Sequence, residues 1–188
     1  MVTYDEQWSD EAHLERMKAG WGCGGPETPC GGGSTLSATQ ALRPWLLAKL
    51  AELKITSLAD AGAGDLNWVR HIATEFTGMY RAFDLYPRHP DVIRWDITKL
   101  PLPHFDAILC RDVLIHFDPP RVEKTLKLFR ESQAKYLFAT QYDIAKPFAW
   151  MSGFNYTNLR PYLGDYLEAY EEAPKGWGCQ LAVWRLNQ

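Results

Sequence analysis

Apolar residues run along this chain in short blocks, and several blocks end in an acidic residue. Residues 55–59 are mostly apolar and β-compatible, which predicts a buried strand. Leu66, Val69, Ile72, Ala73 and Phe76 then fall at helical spacing. Residues 79–83 predict a second strand ending at Asp84. Residues 92–95 predict a third ending at Asp96, and 107–110 a fourth ending at Arg111-Asp112. Upstream, residues 36–54 carry a helical pattern with Ser34 or Thr35 as N-cap; Pro44 inside it predicts a kink or two short helices. Downstream, Asp118 suits an N-cap and Pro119 the first helical position, with Val122, Leu126 and Phe129 on one face. Residues 136–141 predict a fifth strand. Residues 166–170 and 180–186 predict closing strands joined around Pro174-Lys175-Gly176. Residues 143–165 are rich in aromatics, Pro and Asn and show no clear period, while residues 10–19 fit a short helix. Strands that alternate with helices define an α/β class.

The first strand and helix are joined by Asp60-Ala61-Gly62-Ala63-Gly64-Asp65. Two glycines let the backbone turn sharply and approach a ligand. The helix N-terminus beyond offers unpaired N–H groups. A dinucleotide fingerprint needs a third glycine, but Leu66 or Asn67 stands there. Asp60 and Asp65 would also repel phosphates. An acidic glycine loop fits a cofactor that carries a cation and ribose hydroxyls, such as S-adenosylmethionine. An ordinary tight strand–helix turn explains the same residues, so the loop alone leaves both readings open. Asp84 lies about 20 residues beyond it, where a ribose-binding acid is expected. Four successive strands ending in acid point further to one ligand site, because open α/β sheets bind ligands at the carboxyl ends of their strands.

Composition narrows the field. At 188 residues, one domain is the natural count, 1–188, with 1–35 an N-terminal segment and 36–188 the core. The net charge of −3 supplies no global basic field for a nucleic-acid backbone. No apolar run reaches the roughly 20 residues of a membrane span. Residues 1–16 are polar and acidic, unlike a secretory leader, which makes the cytoplasm the expected location. Cys23 and Cys30 flank a Gly/Pro-rich loop without metal-ligand spacing, and Cys110 fits a buried strand, so no metal site is expected.

The chain resembles class I S-adenosylmethionine-dependent methyltransferases, and within them a compact bacterial and phage-type group of mostly unassigned substrate. The carrying residues are Ser57 to Trp68 around the glycine loop, Trp95-Asp96-Ile97-Thr98, and Leu109-Cys110-Arg111-Asp112-Val113-Leu114-Ile115-His116-Phe117. Gly31-Gly32-Gly33-Ser34-Thr35-Leu36 and Ala182-Val183-Trp184-Arg185-Leu186 look alike as well. The resemblance implies a Rossmann-like, doubly wound, mostly parallel seven-stranded sheet with an antiparallel edge strand. It implies methyl transfer to an O or N of a small-molecule or nucleotide-like substrate. The alternatives are a macromolecular acceptor or a non-catalytic cofactor-binding regulator. Asp118-Pro119-Pro120-Arg121 is too distant from the fourth strand, and lacks the aromatic, to be the base-amine motif of the nucleic-acid enzymes.

Expected cofactor contacts are Gly62 and Gly64 at the methionine part, Asp60 near its ammonium, Asp84 on the ribose, Asp96 and Ile97 at the adenine, and Arg111. Asp112 and His116 follow the fourth strand near the expected methyl position. Each is a candidate to orient or deprotonate the acceptor; each is equally a candidate for a local turn, an ion pair with Arg111 or core packing. Residues 20–35 are a candidate lid in which Ser34 or Thr35 bonds an anionic group, against the plainer reading of a connector with Ser34 as cap. Trp68, Trp150, Phe154 and Tyr156 are candidates for an aromatic substrate wall, with core packing as the simpler role for each. Arg43, Arg111 and Arg160 are candidates to meet a carboxylate or phosphate.

Overall fold

The computed structural model describes residues 15, 19–20, 24–143, 148–151, 154–172 and 178–187. The described elements run α1 (Leu42–Glu52), β1 (Ser57–Ala61), α2 (Val69–Glu75), β2 (Met79–Asp84), β3 (Val92–Arg94) and β4 (Ala107–Cys110). They continue with α3 (Pro119–Glu131), β5 (Tyr136–Tyr142), β6 (Phe148–Met151), β7 (Phe154–Thr157), α4 (Arg160–Leu163), β8 (Glu168–Glu171) and β9 (Cys179–Arg185). Seven strands form one sheet in the order β3-β2-β1-β4-β5-β9-β8. β1 to β5 pair in parallel, while β9 pairs antiparallel with both β5 and β8. β6 and β7 form a separate antiparallel hairpin.

Alternation along each central strand divides the buried residues between the two faces. Leu58, Leu109, Phe138, Leu181 and Val183 pack with Leu42, Leu46 and Leu50 of α1 and with Val69 and Ile72 of α2. Ala59, Ile108, Cys110, Leu137, Ala139, Ala182 and Trp184 pack with Val122, Leu126 and Phe129 of α3. Helices thus cover both faces of a mostly parallel sheet, which is the doubly wound arrangement. The sheet order reverses between β1 and β4, so a crevice opens at their carboxyl ends. At the opposite ends, Asp106 braces β1 and β4. Its carboxylate accepts from Thr56 N, Thr56 Oγ1 and Ser57 N at 3.0, 2.6 and 3.2 Å, and it pairs with Lys135. The Thr56 hydroxyl, foremost, holds this carboxyl below the usual range despite its burial.

Several boundaries differ from the sequence expectation, for local reasons. The first strand starts at Ser57, two residues later than expected, because Ile55 belongs to the end of α1. Ile55 N bonds Leu50 O and Lys54 N bonds Ala51 O, with Lys54 at φ +54°. That is a Schellman ending, with Ile55 buried beside Leu50. α1 starts at Leu42 instead of near residue 36, and Pro44 stands in its first turn without kinking anything. Neither Ser34 nor Thr35 caps it; Thr35 Oγ1 donates to Gly32 O at 2.9 Å and accepts from Ala38 N at 3.2 Å, holding residues 36–40 as turns. Asp118 does cap α3, accepting from Arg121 N at 2.9 Å, with Pro119 at the first helical position. The aperiodic stretch after β5 holds the β6–β7 hairpin and α4. The expected helix at 10–19 and the turn at 174–176 lie outside the described residues, apart from residues 15 and 19.

Candidate functional site

A cavity of about 540 Å³ opens at the carboxyl ends of β1, β2, β3 and β4, within the roughly 300–1,000 Å³ usual for small-molecule sites. Gly62 and Gly64 line one side. The loop leaves β1 through Gly62 N and Ala63 N, which both donate to Phe83 O, at 2.8 and 3.1 Å. Gly62 has φ +92° and Gly64 +60°, conformations that favour glycine. Space also requires them. A Cβ on Gly62 would stand 2.2 Å from Val113 Cγ2, and one on Gly64 2.5 Å from Cys30 Sγ.

Two strand-end acids face the same space. Asp84 Oδ2 accepts from Gly64 N at 2.9 Å and Oδ1 from Tyr86 N at 2.8 Å, so its carboxylate is fixed with lone pairs to spare. Burial raises its pKa, opposed by those two N–H groups. Asp96 Oδ1 accepts from Thr98 N and Thr98 Oγ1 at 3.0 and 2.6 Å, and Oδ2 pairs with Lys99 at 3.3 Å. Burial acts to raise this group, but the Thr98 bonds and the Lys99 charge outweigh it and its pKa is lowered. Ile97 lines the cavity beside it.

The end of β4 supplies a polar hub. Arg111 donates from Nε to Glu172 Oε1 at 3.2 Å, and from Nη2 to Glu172 Oε2 at 2.6 Å and Gly33 O at 2.9 Å. Its Nη1 pairs with Asp112 Oδ2 at 3.2 Å, and its guanidinium lies 5.2 Å from the Trp68 ring centroid. Burial alone would lower its pKa; the Asp112 and Glu172 carboxylates reverse that and raise it. Asp112 sits at φ +57°. Thr140 clasps it twice, with Asp112 N donating to Thr140 Oγ1 at 2.9 Å and Thr140 Oγ1 donating to Asp112 Oδ1 at 3.0 Å. Asp112 and His116 both line the cavity, His116 at the end of a 3-10 turn, Leu114–His116.

Residues 24–36 form a strap over one side of the site. Pro29, Cys30 and Ser34 line the cavity from it. Asn67, just past the glycine loop, donates from Nδ2 to Glu27 Oε1 at 2.7 Å and to Ser34 O at 3.0 Å. Glu27 also accepts from Leu36 N at 2.6 Å. The Leu36 N–H and then the Asn67 amide hold the Glu27 carboxyl below its usual range. Burial, with the Asp65 charge behind it, pushes the Cys30 thiol up to about 11, which leaves it a packing group against Gly64.

The structure therefore brings Gly62, Gly64, Asp84, Asp96, Ile97, Arg111, Asp112, His116 and Ser34 to one cavity. Asp60, Thr35 and Trp68 do not line it. Asp60 lies on the α1–α2 face of β1 and accepts from Tyr80 Oη at 2.7 Å. Burial raises its pKa to about 7. Thr35 is turned into its own loop, and Trp68 is buried beside Arg111. Arg43 and Arg160 also stand outside; Arg160 donates to Tyr166 Oη at 3.0 Å. The side chains of Trp150, Phe154 and Tyr156 lie outside the described residues. Arg88, Lys124 and the Arg111 partner Glu172 were not singled out in the sequence, and Cys30, Trp95, Phe117 and Arg121 were named there without a role at the site. Arg121 and Lys124 could have been found, since they follow the recognisable Asp118 cap after β4. Glu172 carries no local motif.

No family model matches the chain, and no curated protein matches it in sequence. Solved structures do match. One is 1,6-didemethyltoxoflavin-N1-methyltransferase of Burkholderia thailandensis with bound 1,6-didemethyltoxoflavin and S-adenosylhomocysteine, at 15% identity and TM-score 0.63, covering 80% of this chain and 79% of that one. Another is magnesium protoporphyrin IX methyltransferase of Synechocystis PCC 6803 with bound S-adenosylmethionine, at 15% identity and TM-score 0.59, covering 78% and 79%. The methyltransferase domain of bacterial CtHen1-C matches at 13% identity and TM-score 0.60, covering 80% of this chain and 100% of that one. The fold of this chain is that of the class I S-adenosylmethionine-dependent methyltransferases. Among the described residues no helix is long and apolar enough to cross a membrane.

Proposed function

We propose that this protein is an S-adenosylmethionine-dependent methyltransferase acting on an O or N of a small-molecule or nucleotide-like substrate. The observation that carries the reading is the Gly64–Asp84 arrangement. A carboxylate locked by a loop N–H faces the cavity beside two glycines that line it, with Val113 and Cys30 packed where their Cβ atoms would stand. Such a carboxylate suits a ribose diol. When bound, S-adenosylmethionine would supply the electrophilic methyl group. Asp84 would hold the ribose hydroxyls, Asp96 and Ile97 the adenine, and Arg111 the amino-acid part. Thr140 and Arg111 engage both oxygens of Asp112, so Asp112 orients groups at the end of β4. His116, at the end of the 3-10 turn and lining the same cavity, is assigned as the imidazole that accepts the acceptor's proton. Arg88, Arg121 and Lys124 line the same cavity alongside Asp84, Asp96, Asp112 and Asp118, so basic groups are at hand there for an anionic or nucleotide-like acceptor. Residues 24–35, the described part of the expected 20–35 segment beyond Gly20, serve as a lid over the cofactor.

The test is a metabolite extract incubated with methyl-labelled cofactor. Labelled product and S-adenosylhomocysteine are expected, with His116→Gln slower by roughly 10²–10⁴-fold, the range of a lost general base. No S-adenosylhomocysteine from any extract would favour a cofactor-binding regulator instead. Equal rates in His116→Gln would remove the base assignment.

A further inference from the structure

Glu172 has no place in the reading above, yet it makes two of the hydrogen bonds that fix Arg111. It stands just past β8, at the sheet edge far from the glycine loop in sequence, and it is 3% exposed. Its two oxygens take Nε and Nη2 of Arg111 in a planar fork, and that geometry sets the plane of the guanidinium. Nη2 is further spent on Gly33 O, and Trp68 covers one face. Nη1 is left as the remaining edge. Among the described residues its contact is the 3.2 Å ion pair with Asp112.

The direction of that edge follows from the cavity lining. Arg111 and Asp112 line the cavity, whereas Glu172 and Gly33 do not. The fork therefore ends on residues outside the cavity lining, while the Nη1 edge ends on Asp112, which is part of it. A guanidinium edge with a spare donor recognises a carboxylate. The amino-acid carboxylate is the one anionic group of S-adenosylmethionine. Resting on the methyltransferase reading, we propose that Glu172 is a positioning residue that holds Arg111 so that Nη1 meets this carboxylate.

Two ligands separate this role from plain stability. S-adenosylhomocysteine carries the amino-acid part, and 5′-deoxy-5′-methylthioadenosine shares the adenosine and thioether but lacks it. Both are titrated calorimetrically into wild type, Glu172→Gln and Arg111→Lys, with thermal melts confirming that each variant is folded. Glu172→Gln is expected to bind S-adenosylhomocysteine about tenfold more weakly, the scale of one charge-assisted hydrogen bond. Its affinity for methylthioadenosine should stay within about twofold of wild type, and Arg111→Lys should show the same selective loss. Equal losses for both ligands, or an unchanged ratio while wild type binds both, would overturn the inference and leave the cofactor reading standing. A wild type that binds neither ligand would overturn both.

Discussion

Asp60 is buried in the floor beside the site, paired with Tyr80, and its carboxyl is the most raised of the strand-end acids by burial. The folded protein therefore keeps a proton on Asp60 over a range where the unfolded chain has released it. A raised folded pKa means stability that is full below the unfolded value near 4 and is lost as pH rises to about 7. Comparing wild type with Asp60→Asn by urea denaturation isolates the effect. The wild type minus variant difference should fall by at most about 1.4 kcal/mol per pH unit between those limits and flatten above. A difference independent of pH would mean that Asp60 is charged in the folded state. The sequence marked Asp60 as a cofactor residue because it precedes the glycines. Strand parity sends it to the α1–α2 face with Leu58, and starting β1 at Ser57 instead of Ile55 leaves that parity unchanged. Proximity to the glycines in sequence therefore did not decide which face its side chain takes.

At the scale of elements, the strap of residues 24–36 and the loop after β1 are sewn together by side chains. Asn67 holds both Glu27 and Ser34 O, and Arg111 holds Gly33 O. These bonds lie in turns with few apolar contacts, the kind of segment that opens locally at small free-energy cost. Hydrogen exchange over residues 24–36 should slow under saturating S-adenosylhomocysteine, and Asn67→Ala should speed it in the free protein. Exchange unchanged by ligand would leave only a static connector. The glycines of this segment were legible as a structural break. Its latch was not, because Glu27–Asn67 spans 40 positions and has no periodic signature. The same holds for Arg111–Glu172, 61 positions apart. Motif residues on strand ends could be read directly, since the carboxyl end of each strand follows from where its apolar run stops.

For the whole molecule, the two-faced core follows from buried strands of alternating side chains and from the amphipathic α3, and the mostly parallel seven-stranded sheet with its antiparallel edge from the family resemblance. That much was legible, down to the bounds of β4 and the cap of α3. The hairpin β6–β7 was not, because its aromatic, Pro- and Asn-containing stretch shows neither period 2 nor 3.6. The assembled sheet gathers the ends of β1, β2, β3 and β4 into one cavity, and the account stands on what enters it. Calorimetric titration of S-adenosylhomocysteine into wild type and Asp84→Ala tests that most directly. One-to-one saturable binding is predicted for wild type, with a loss of at least about tenfold in Asp84→Ala, whose ribose acceptor is gone. No saturable heat with wild type, or Asp84→Ala binding as tightly as wild type, would contradict it.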